Sequence, residues 1–420
     1  MFGDVVSFLE WLEHTRFYFV WLVFFAWYPM LSGLMWIVTA LTYWWRRERK
    51  QTGPPPLPEN PKAVTVLVPA YCEADRIAET LESVLAIDYP VFEVIVVDDA
   101  STDDTLFRIR PFVDSGRVRL IRKTTNEGKS MAMNDALGCA RGEIVLIVDA
   151  DAQPDPAILR YLVPHFDSTR VGAVTGNPRV ANRDSLLARL QAIEFTSIVS
   201  LQKRAQRVWG RILTVSGVVG AFHKDALADV NWFSPDMATE DIDISWKLQL
   251  RHWDIRYEPQ AIVWMHVPPR WRDLWTQRRR WSLGLAQVLR RHFREVIRWR
   301  SRRMWPVLLE STTSIAWGFS FVLLTSLWIL SYAVGYPPVG GSPIPNWWGM
   351  LMATVCLGQL GTGVLLDRRY DHRLGRSFVI AIIYPLIYWM FLAIVTVRSS
   401  PSGLLRSPQR KGAQWRTRRD

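Results

Sequence analysis

Cysteine is nearly absent from this chain: Cys72, Cys139 and Cys356 are the only three in 420 residues. They show no metal-ligand spacing and no pairing pattern, which argues against a disulfide scaffold or a zinc module and fits a reducing compartment. Charge is missing from long stretches as well. Phe17 to Trp45 is 29 residues without one. At ~1.5 Å per residue it makes ~43 Å of helix, more than a ~30 Å hydrocarbon core requires. It reads as one tilted span or one broken near Pro29. Its length and the basic run that follows, Arg46-Arg47-Glu48-Arg49-Lys50, argue against a cleaved signal peptide. That run predicts that the next region faces the cytoplasm. Three further apolar stretches lie at roughly 305–333, 346–366 and 377–397, with Glu310 their only acid.

Acids are scarce where bases are dense. From His266 to Arg303 there are 12 arginines against Asp273 and Glu295, and residues 398–420 add seven basic residues against Asp420. Next to apolar spans such charge faces anionic lipid headgroups or a phosphorylated substrate rather than nucleic acid. Three C-terminal spans would leave the basic tail outside, against the positive-inside tendency. Either one segment does not span, with Pro385 marking the last as re-entrant, or the tail is external.

The organisation follows. Residues 1–50 form an N-terminal membrane region and the Pro-rich "QTGPPPLPENPK" (51–62) a linker. Residues 63–265 are a cytoplasmic domain, 266–303 amphipathic interface helices, 304–397 a C-terminal membrane region and 398–420 a basic tail. Within the domain, "VTVLV" (64–68), "FEVIVV" (92–97), "RVRLI" (117–121) and "EIVLIV" (143–148) alternate with helical stretches at 75–86, from Asp103, and around 129–140. The rhythm predicts βαβ units, a parallel sheet and a Rossmann-like α/β fold. Ligands in such sheets bind at the carboxyl ends of the strands.

The residues at those ends are acidic: "DDAST" (98–102) and "DADAQ" (149–153). The first alone is satisfied as a helix-capping turn. In the second, Asp149 and Asp151 point the same way on an extended chain. Two adjacent carboxylates repel unless a cation or proton lies between them, and Mg²⁺ takes one or two carboxylates plus phosphate oxygens. Asp149 and Asp151 are therefore the candidate metal ligands. "ATEDIDISWKLQL" (238–250) reads either as an acid-rich helix start or as a site whose Asp241 is raised into the range of a general base. In 271–299, Leu285, Leu289, Phe293 and Ile297 recur every fourth residue, an apolar stripe among arginines suited to a membrane interface. Arginine is also a fork for phosphate oxygens.

These motifs, in this order, resemble the processive membrane glycosyltransferases of family two: Asp98-Asp99, Asp149-x-Asp151, Thr239-Glu240-Asp241 and Gln277-x-x-Arg280-Trp281. The likeness covers about 61–300. "VGAVTGNPRV" (171–180), "TVSGVVGAF" (214–222) and "TEDIDISWKLQL" (239–250) narrow it to the branch that joins N-acetylglucosamine through β-1,6 bonds into biofilm polysaccharide. The resemblance implies a GT-A-type fold and inverting transfer from UDP-N-acetylglucosamine to a growing polysaccharide. It implies Mg²⁺, with Mn²⁺ the other ion of this type, a small membrane partner subunit, cyclic di-GMP control, and a bacterial inner-membrane location. On it, Tyr71, Glu73, Asp98, Asp99, Lys129 and Asp149 serve the nucleotide, Asp149 and Asp151 the metal, Asp241 is the base, and Gln277, Arg280 and Trp281 form a lid. A chitin- or hyaluronan-type synthase and single-sugar transfer to a lipid phosphate are the alternatives. The chain departs from close relatives at Ser282-Leu283-Gly284, where they tend to carry an alanine and a polar residue.

Overall fold

The computed structural model describes residues 2–51, 53–336 and 347–408. Strands β1 (Val64–Ala70), β2 (Phe92–Asp98), β3 (Arg119–Arg122) and β4 (Ile144–Val148) fall where the apolar runs lie, the third starting two residues late. β1 and β4 are buried along their whole length. An unbroken apolar run is what a strand covered on both faces requires. The crossovers are α3 (Ile77–Leu85), α4 (Thr105–Asp114) and α5 (Lys129–Cys139). Neighbouring residues serve opposite faces: Val66 and Val96 join Ile77 and Leu81 on one side, while Leu67 and Ile95 join Met133 and Leu137 on the other.

The expected parallel sheet is only half of the observed one. The order is β3-β2-β1-β4-β7-β6-β8-β5, the added strands being β5 (Ala152–Pro154), β6 (Val171–Val180), β7 (Val219–His223) and β8 (Asp254–Met265). β7 runs antiparallel to both β4 and β6, while β6 and β8 are parallel. The antiparallel pair sets Val148 opposite Val219. The loop before β7 therefore lies directly beyond the carboxyl end of β4, and Asp149 N–H donates to Val218 O at 3.2 Å. Short helices α6 (Ile158–Leu162) and α9 (Lys224–Asp229) and the longer α10 (Glu240–Leu250) complete the domain. Residues 240–250 form the helix expected there, with Thr239, Glu240 and Asp241 at its start.

α1 (Phe2–Glu13) precedes α2 (Arg16–Tyr43), which continues through Pro29 into a π turn at Trp44–Glu48. Proline has no N–H to give the carbonyl four residues back. That carbonyl, Phe25 O, instead accepts Trp317 Nε1–H at 3.0 Å from α12 (Trp305–Ala333). Trp21 Nε1–H donates to Ser320 Oγ at 2.7 Å and Tyr336 Oη–H to Glu13 at 3.3 Å, so α12 runs antiparallel to α2. Val355 and Gln359 of α13 (Trp347–Asp367) lie against Gly33, and Leu366 clusters with Ala40, so α13 runs parallel to α2. Three helices, Arg16–Glu48, Trp299–Ala333 and Gly349–Asp367, are long and apolar enough to cross a membrane.

The stretch 377–397, a candidate span or re-entrant segment by sequence, is not among the described helices long and apolar enough to cross a membrane. After α14 (Leu374–Ser377) it breaks into a 3₁₀ turn at Phe378–Ile382 and a π turn at Tyr384–Tyr388 around Pro385. α15 (Trp389–Leu405) then lies along α11 (Trp271–Val296), with Phe391 against Trp271 and Trp275 at ring distances of 5.2 and 5.9 Å. The stripe on α11 is also corrected. Each step of four overshoots a helical turn by about 40°, so the row drifts off the buried face. Leu289 is buried but Phe293 and Ile297 are exposed, while Val288, His292 and Val296 face inward. The basic tail beyond 408 lies outside the described residues.

One interface element was not anticipated. α7 (Leu186–Glu194), a π turn (Phe195–Ser200) and α8 (Leu201–Trp209) form a continuous helical stretch packed on α2 and α13. Arg204 of α8 is completely buried. It binds Glu48 with Nε at 2.8 Å and Nη2 at 2.9 Å, and reaches Asp367 at 2.9 Å. Arg179 of β6 pairs with the same Asp367 at 2.5 Å. Two arginines and two acids balance, as buried ions must, and they fasten the ends of α2 and α13 to the sheet.

Candidate active site

The loops after β1 and β2 are laced to each other. Cys72 N–H donates to Ser101 Oγ (2.9 Å), Glu73 N–H to Thr105 Oγ1 (2.7 Å) and Ala74 N–H to Asp103 (3.2 Å). Cys72 and Ala100 adopt left-handed φ of 53° and 61°. Tyr71 and Glu73 are half-buried beside this turn. Asp98 is buried and accepts Ser101 N–H at 3.1 Å, the capping role open to it on sequence alone. Asp99 accepts the amides of Glu127 (3.1 Å) and Gly128 (2.7 Å). Burial raises its carboxyl above the usual range even against those bonds and Lys123. Asp99 thereby fixes the turn into α5, where Gly128 takes a φ of 92° that only glycine adopts without strain. The next residue is Lys129.

Lys129 is the centre of the site. Its ammonium donates to Asp149 (2.5 Å) and Gly217 O (3.0 Å) and lies 3.1 Å from Glu240. It therefore joins the end of β4, the loop before β7 and the start of α10. Burial depresses its pKa, but the charges of Asp149 and Glu240 outweigh that and hold it above the ordinary lysine value. Burial, with Asp151 adding to it, raises Asp149 against the pull of Lys129. Glu240 is lowered: burial opposes, and Lys129 and Arg280 win. Asp241 is different. Burial and then the charge of Glu240 push its carboxyl up to about 6, against Lys129 and Arg280. An ideal Cβ on Gly217 would lie 3.2 Å from Asp241 Oδ2, so the carboxylate faces that loop.

Asp149, Asp151, Glu240 and Asp241 are four acids against Lys129 and Arg280, two negative charges in excess. Among the described residues no three ligating side chains converge into a preformed metal cage. An excess of acids over bases fits a divalent ion that takes one or two carboxylates here and the rest of its ligands from phosphate oxygens. Asp149 and Asp151 are the carboxylates at hand.

The arginine run on α11 divides by function. Arg278 is buried and pairs with Glu194 of α7, whose carboxylate also accepts Tyr388 Oη–H at 2.8 Å. Its guanidinium lies 3.9 Å over the Trp281 ring, and Phe195 meets Trp281 edge-on at 6.4 Å. Arg279 and Arg280 are exposed, and Arg280 is the one felt by Glu240 and Asp241. Gln277 is half-buried on the same helix. Gly284 explains how α11 reaches the site. A Cβ there would stand 2.1 Å from Thr239 Oγ1 and 2.4 Å from its Cγ2, so α11 crosses directly over the residue that caps α10.

Sequence reasoning missed Lys203 and Glu194. Lys203 on α8 is buried, donates to Thr175 Oγ1 at 2.9 Å, and that oxygen accepts Ser216 N–H at 2.9 Å. Burial pulls its amine down to about 7, with Asp241 opposing. They are the one lysine and the one glutamate of 186–209, but Arg189, Arg204 and Arg207 stand in the same stretch, so no local signal set them apart.

Residues 61–284 match the family described as glycosyltransferase-like family 2. The chain is 33% identical over 393 residues to a poly-β-1,6-N-acetyl-D-glucosamine synthase of Staphylococcus epidermidis, covering 91% of this chain and 94% of that one. It is 32% identical over 389 residues to the synthase of that name from Staphylococcus aureus, with the same coverage. Among solved structures, the mannosyltransferase of Pyrobaculum calidifontis, determined with GDP-Man and Mn²⁺, superposes with a TM-score of 0.58 at 24% identity, over 87% of this chain and 98% of that one. That likeness supports the GT-A-type fold.

Proposed function

Starting from a chain that belongs to glycosyltransferase family 2, we propose that it polymerises N-acetylglucosamine from UDP-N-acetylglucosamine into β-1,6-linked poly-N-acetylglucosamine. The observation that carries this reading is the extent of the likeness. It runs over 393 residues and so takes in the lid helix and membrane helices beyond the 61–284 domain. The chain is a glycosyltransferase and a membrane protein. Donor, linkage and residue roles are the reading proposed here.

The uridine lies against the ends of β1 and β2, near Tyr71, Glu73, Asp98 and Asp99. Asp149 and Asp151 hold the divalent ion, Mg²⁺ on this reading, which when bound neutralises charge on the diphosphate. Lys129 keeps Asp149, the Gly217 loop and Glu240 in one place. Asp241 takes the proton of the acceptor hydroxyl as its oxygen bonds to the anomeric carbon. The bond from that carbon to the diphosphate breaks on the opposite face, and UDP leaves with the electron pair. A carboxylate raised to about 6 is a far better base than an ordinary one and is still ionised at neutral pH. Arg280 adds positive charge beside the departing diphosphate. Trp281, held by Arg278 and Phe195, offers its remaining face to the acceptor sugar.

Three spans put the domain and residues 368–408 on one side. On this reading the Arg46–Lys50 run marks that side as cytoplasmic, and a non-spanning 377–397 keeps residues 398–408 on it. The contact of Tyr336 with Glu13 supports the opposite ends of α2 and α12 meeting outside.

The test uses membranes containing the full chain, Mg²⁺ and separately labelled UDP-N-acetylglucosamine, UDP-glucose and UDP-glucuronate. It is run with and without cyclic di-GMP and a co-expressed small partner subunit. High-molecular-weight product from the first donor alone, digested by a β-1,6-N-acetylglucosamine-specific hydrolase, is expected. Polymer that resists the hydrolase, or requires another donor, would replace the reading by a chitin- or hyaluronan-type synthase. A single sugar on a lipid phosphate would end the polymerase reading.

A further inference from the structure

A second cluster of positive charge lies away from the acid site, where α12 begins. A cavity of about 180 Å³ is lined by Arg211, His252, Arg300, Arg302 and Arg303, with Gln249 at its wall. Among the described residues no acidic side chain lines it. Gln249 is already used, accepting Ile212 N–H at 2.9 Å and donating to Ile212 O at 2.7 Å. Arg302 turns back over Trp299, with its guanidinium 5.2 Å from the ring. Arg300 and Arg303 are exposed and have no carboxylate within 4 Å among the described residues.

Arg211 is the telling member. It is only 8% exposed. One nitrogen, Nη1, donates to Gly210 O at 3.0 Å, but Nε is buried with no partner. A buried guanidinium nitrogen without an acceptor is costly. Burial depresses its pKa, and Arg303, Arg207 and Arg170 add to this while Asp254 opposes. The protonated form is therefore under strain from its own neighbours, which one bound anion relieves. The end of α10 works against an anion here, since carbonyls converge at a helix C-terminus. That effect is small beside four arginines.

The cavity's place at the start of a helix long and apolar enough to cross a bilayer indicates the anion. Trp299–Ala333 is one of the three helices able to cross a bilayer, and Arg300, Arg302 and Arg303 are its first residues. Trp299 and Trp305 pack edge-on at 5.6 Å beside them, the aromatic pair expected at a headgroup boundary. We propose that this cavity is a phosphate-group site, filled by the headgroup of an anionic phospholipid from the cytoplasmic leaflet. Arg211 forms its floor, and Arg300 and Arg303 its rim. A phosphodiester supplies acceptors for the Arg211 fork and compensates the rim charges, while the acyl chains follow the apolar side of α12.

The experiment is thermal stability and native mass spectrometry of the full chain in detergent. Short-chain phosphatidylglycerol, short-chain phosphatidylcholine and glycerol 3-phosphate are the probes. Phosphatidylglycerol should raise the melting temperature saturably and remain bound in the spectrometer, while the other two have little effect at equal concentration. Arg300→Gln with Arg303→Gln changes only exposed side chains and should weaken phosphatidylglycerol binding at least tenfold. Arg211→Gln should weaken it further if it folds, and the rim variant decides the matter if it does not. Equal stabilisation by glycerol 3-phosphate would overturn the lipid and leave a site for a soluble phosphate. Unchanged phosphatidylglycerol affinity in the rim variant would overturn the site itself.

Discussion

Replacing Asp241 by Asn should abolish transfer and stabilise the fold, an unusual pairing that follows from one cause. The folded protein raises this carboxyl from its ordinary 3.8 to about 6. A group whose folded pKa lies above its unfolded value binds more protons when folded. Its contribution to stability is complete below about 4 and is lost as pH rises through about 6. A shift of about two pH units at ~1.4 kcal/mol each amounts to ~3 kcal/mol, trimmed to about 1–3 kcal/mol by water reaching a half-buried side chain. Asn removes the charge but keeps an oxygen for the Ile242 N–H that Asp241 accepts at 2.9 Å. Thermal unfolding of both proteins in one lipid or detergent, from pH 4 to 8, should show equal stability near pH 4 and the variant ahead above about pH 6.5. Loss of a positioned general base costs about 10²–10⁴ in kcat, with UDP binding retained. In the wild type, kcat should fall about tenfold per pH unit below 6. A variant with normal polymer output, or one less stable than wild type at pH 7.5, would refute the reasoning.

Three other outcomes are expected. Gly284→Ala places a methyl 2.1 Å from Thr239 Oγ1 and must lift α11 from the start of α10. A displacement of that order should cost about 10²-fold in kcat, with the affinity for UDP unchanged in calorimetry. Glu194→Gln strands the buried Arg278 cation and should lower stability by about 3–5 kcal/mol; adding Arg278→Met should recover part of it in thermal unfolding. Asp151→Ala should remove the gain in UDP affinity on adding Mg²⁺, measured by titration with and without the ion. A persisting gain would take Asp151 out of the metal site.

The parallel half of the sheet was legible in the sequence because each of its strands is buried on both faces, so Val64–Ala70 and Ile144–Val148 appear as unbroken apolar runs. The acids were legible because strand ends are where such sheets bind ligands, and four motifs in order carried the resemblance. The long apolar helices at 17–45 and 305–333 were legible because a stretch fit for lipid tolerates almost no charge. Other features are products of contacts between distant segments, which no local period records. The antiparallel β7 sets the Gly217 loop against Asp149, and Lys129 binds three segments at once. In QRRRW one arginine of three is buried against Glu194 while another faces the acids, a choice made by which side of α11 meets α7 and α15. The fate of 377–397 was decided the same way. Its composition suits a membrane span, but it turns through 3₁₀ and π segments around Pro385, Tyr388 bonds to both Glu194 and Arg278, and Tyr384 is buried stacked on Tyr388, so it packs against α11. Residue type and order determined which chemistry this chain can carry out. Tertiary structure decided which charges are buried, which are paired, and hence which carboxylate has the pKa of a base, because burial and neighbouring charge are properties of the fold.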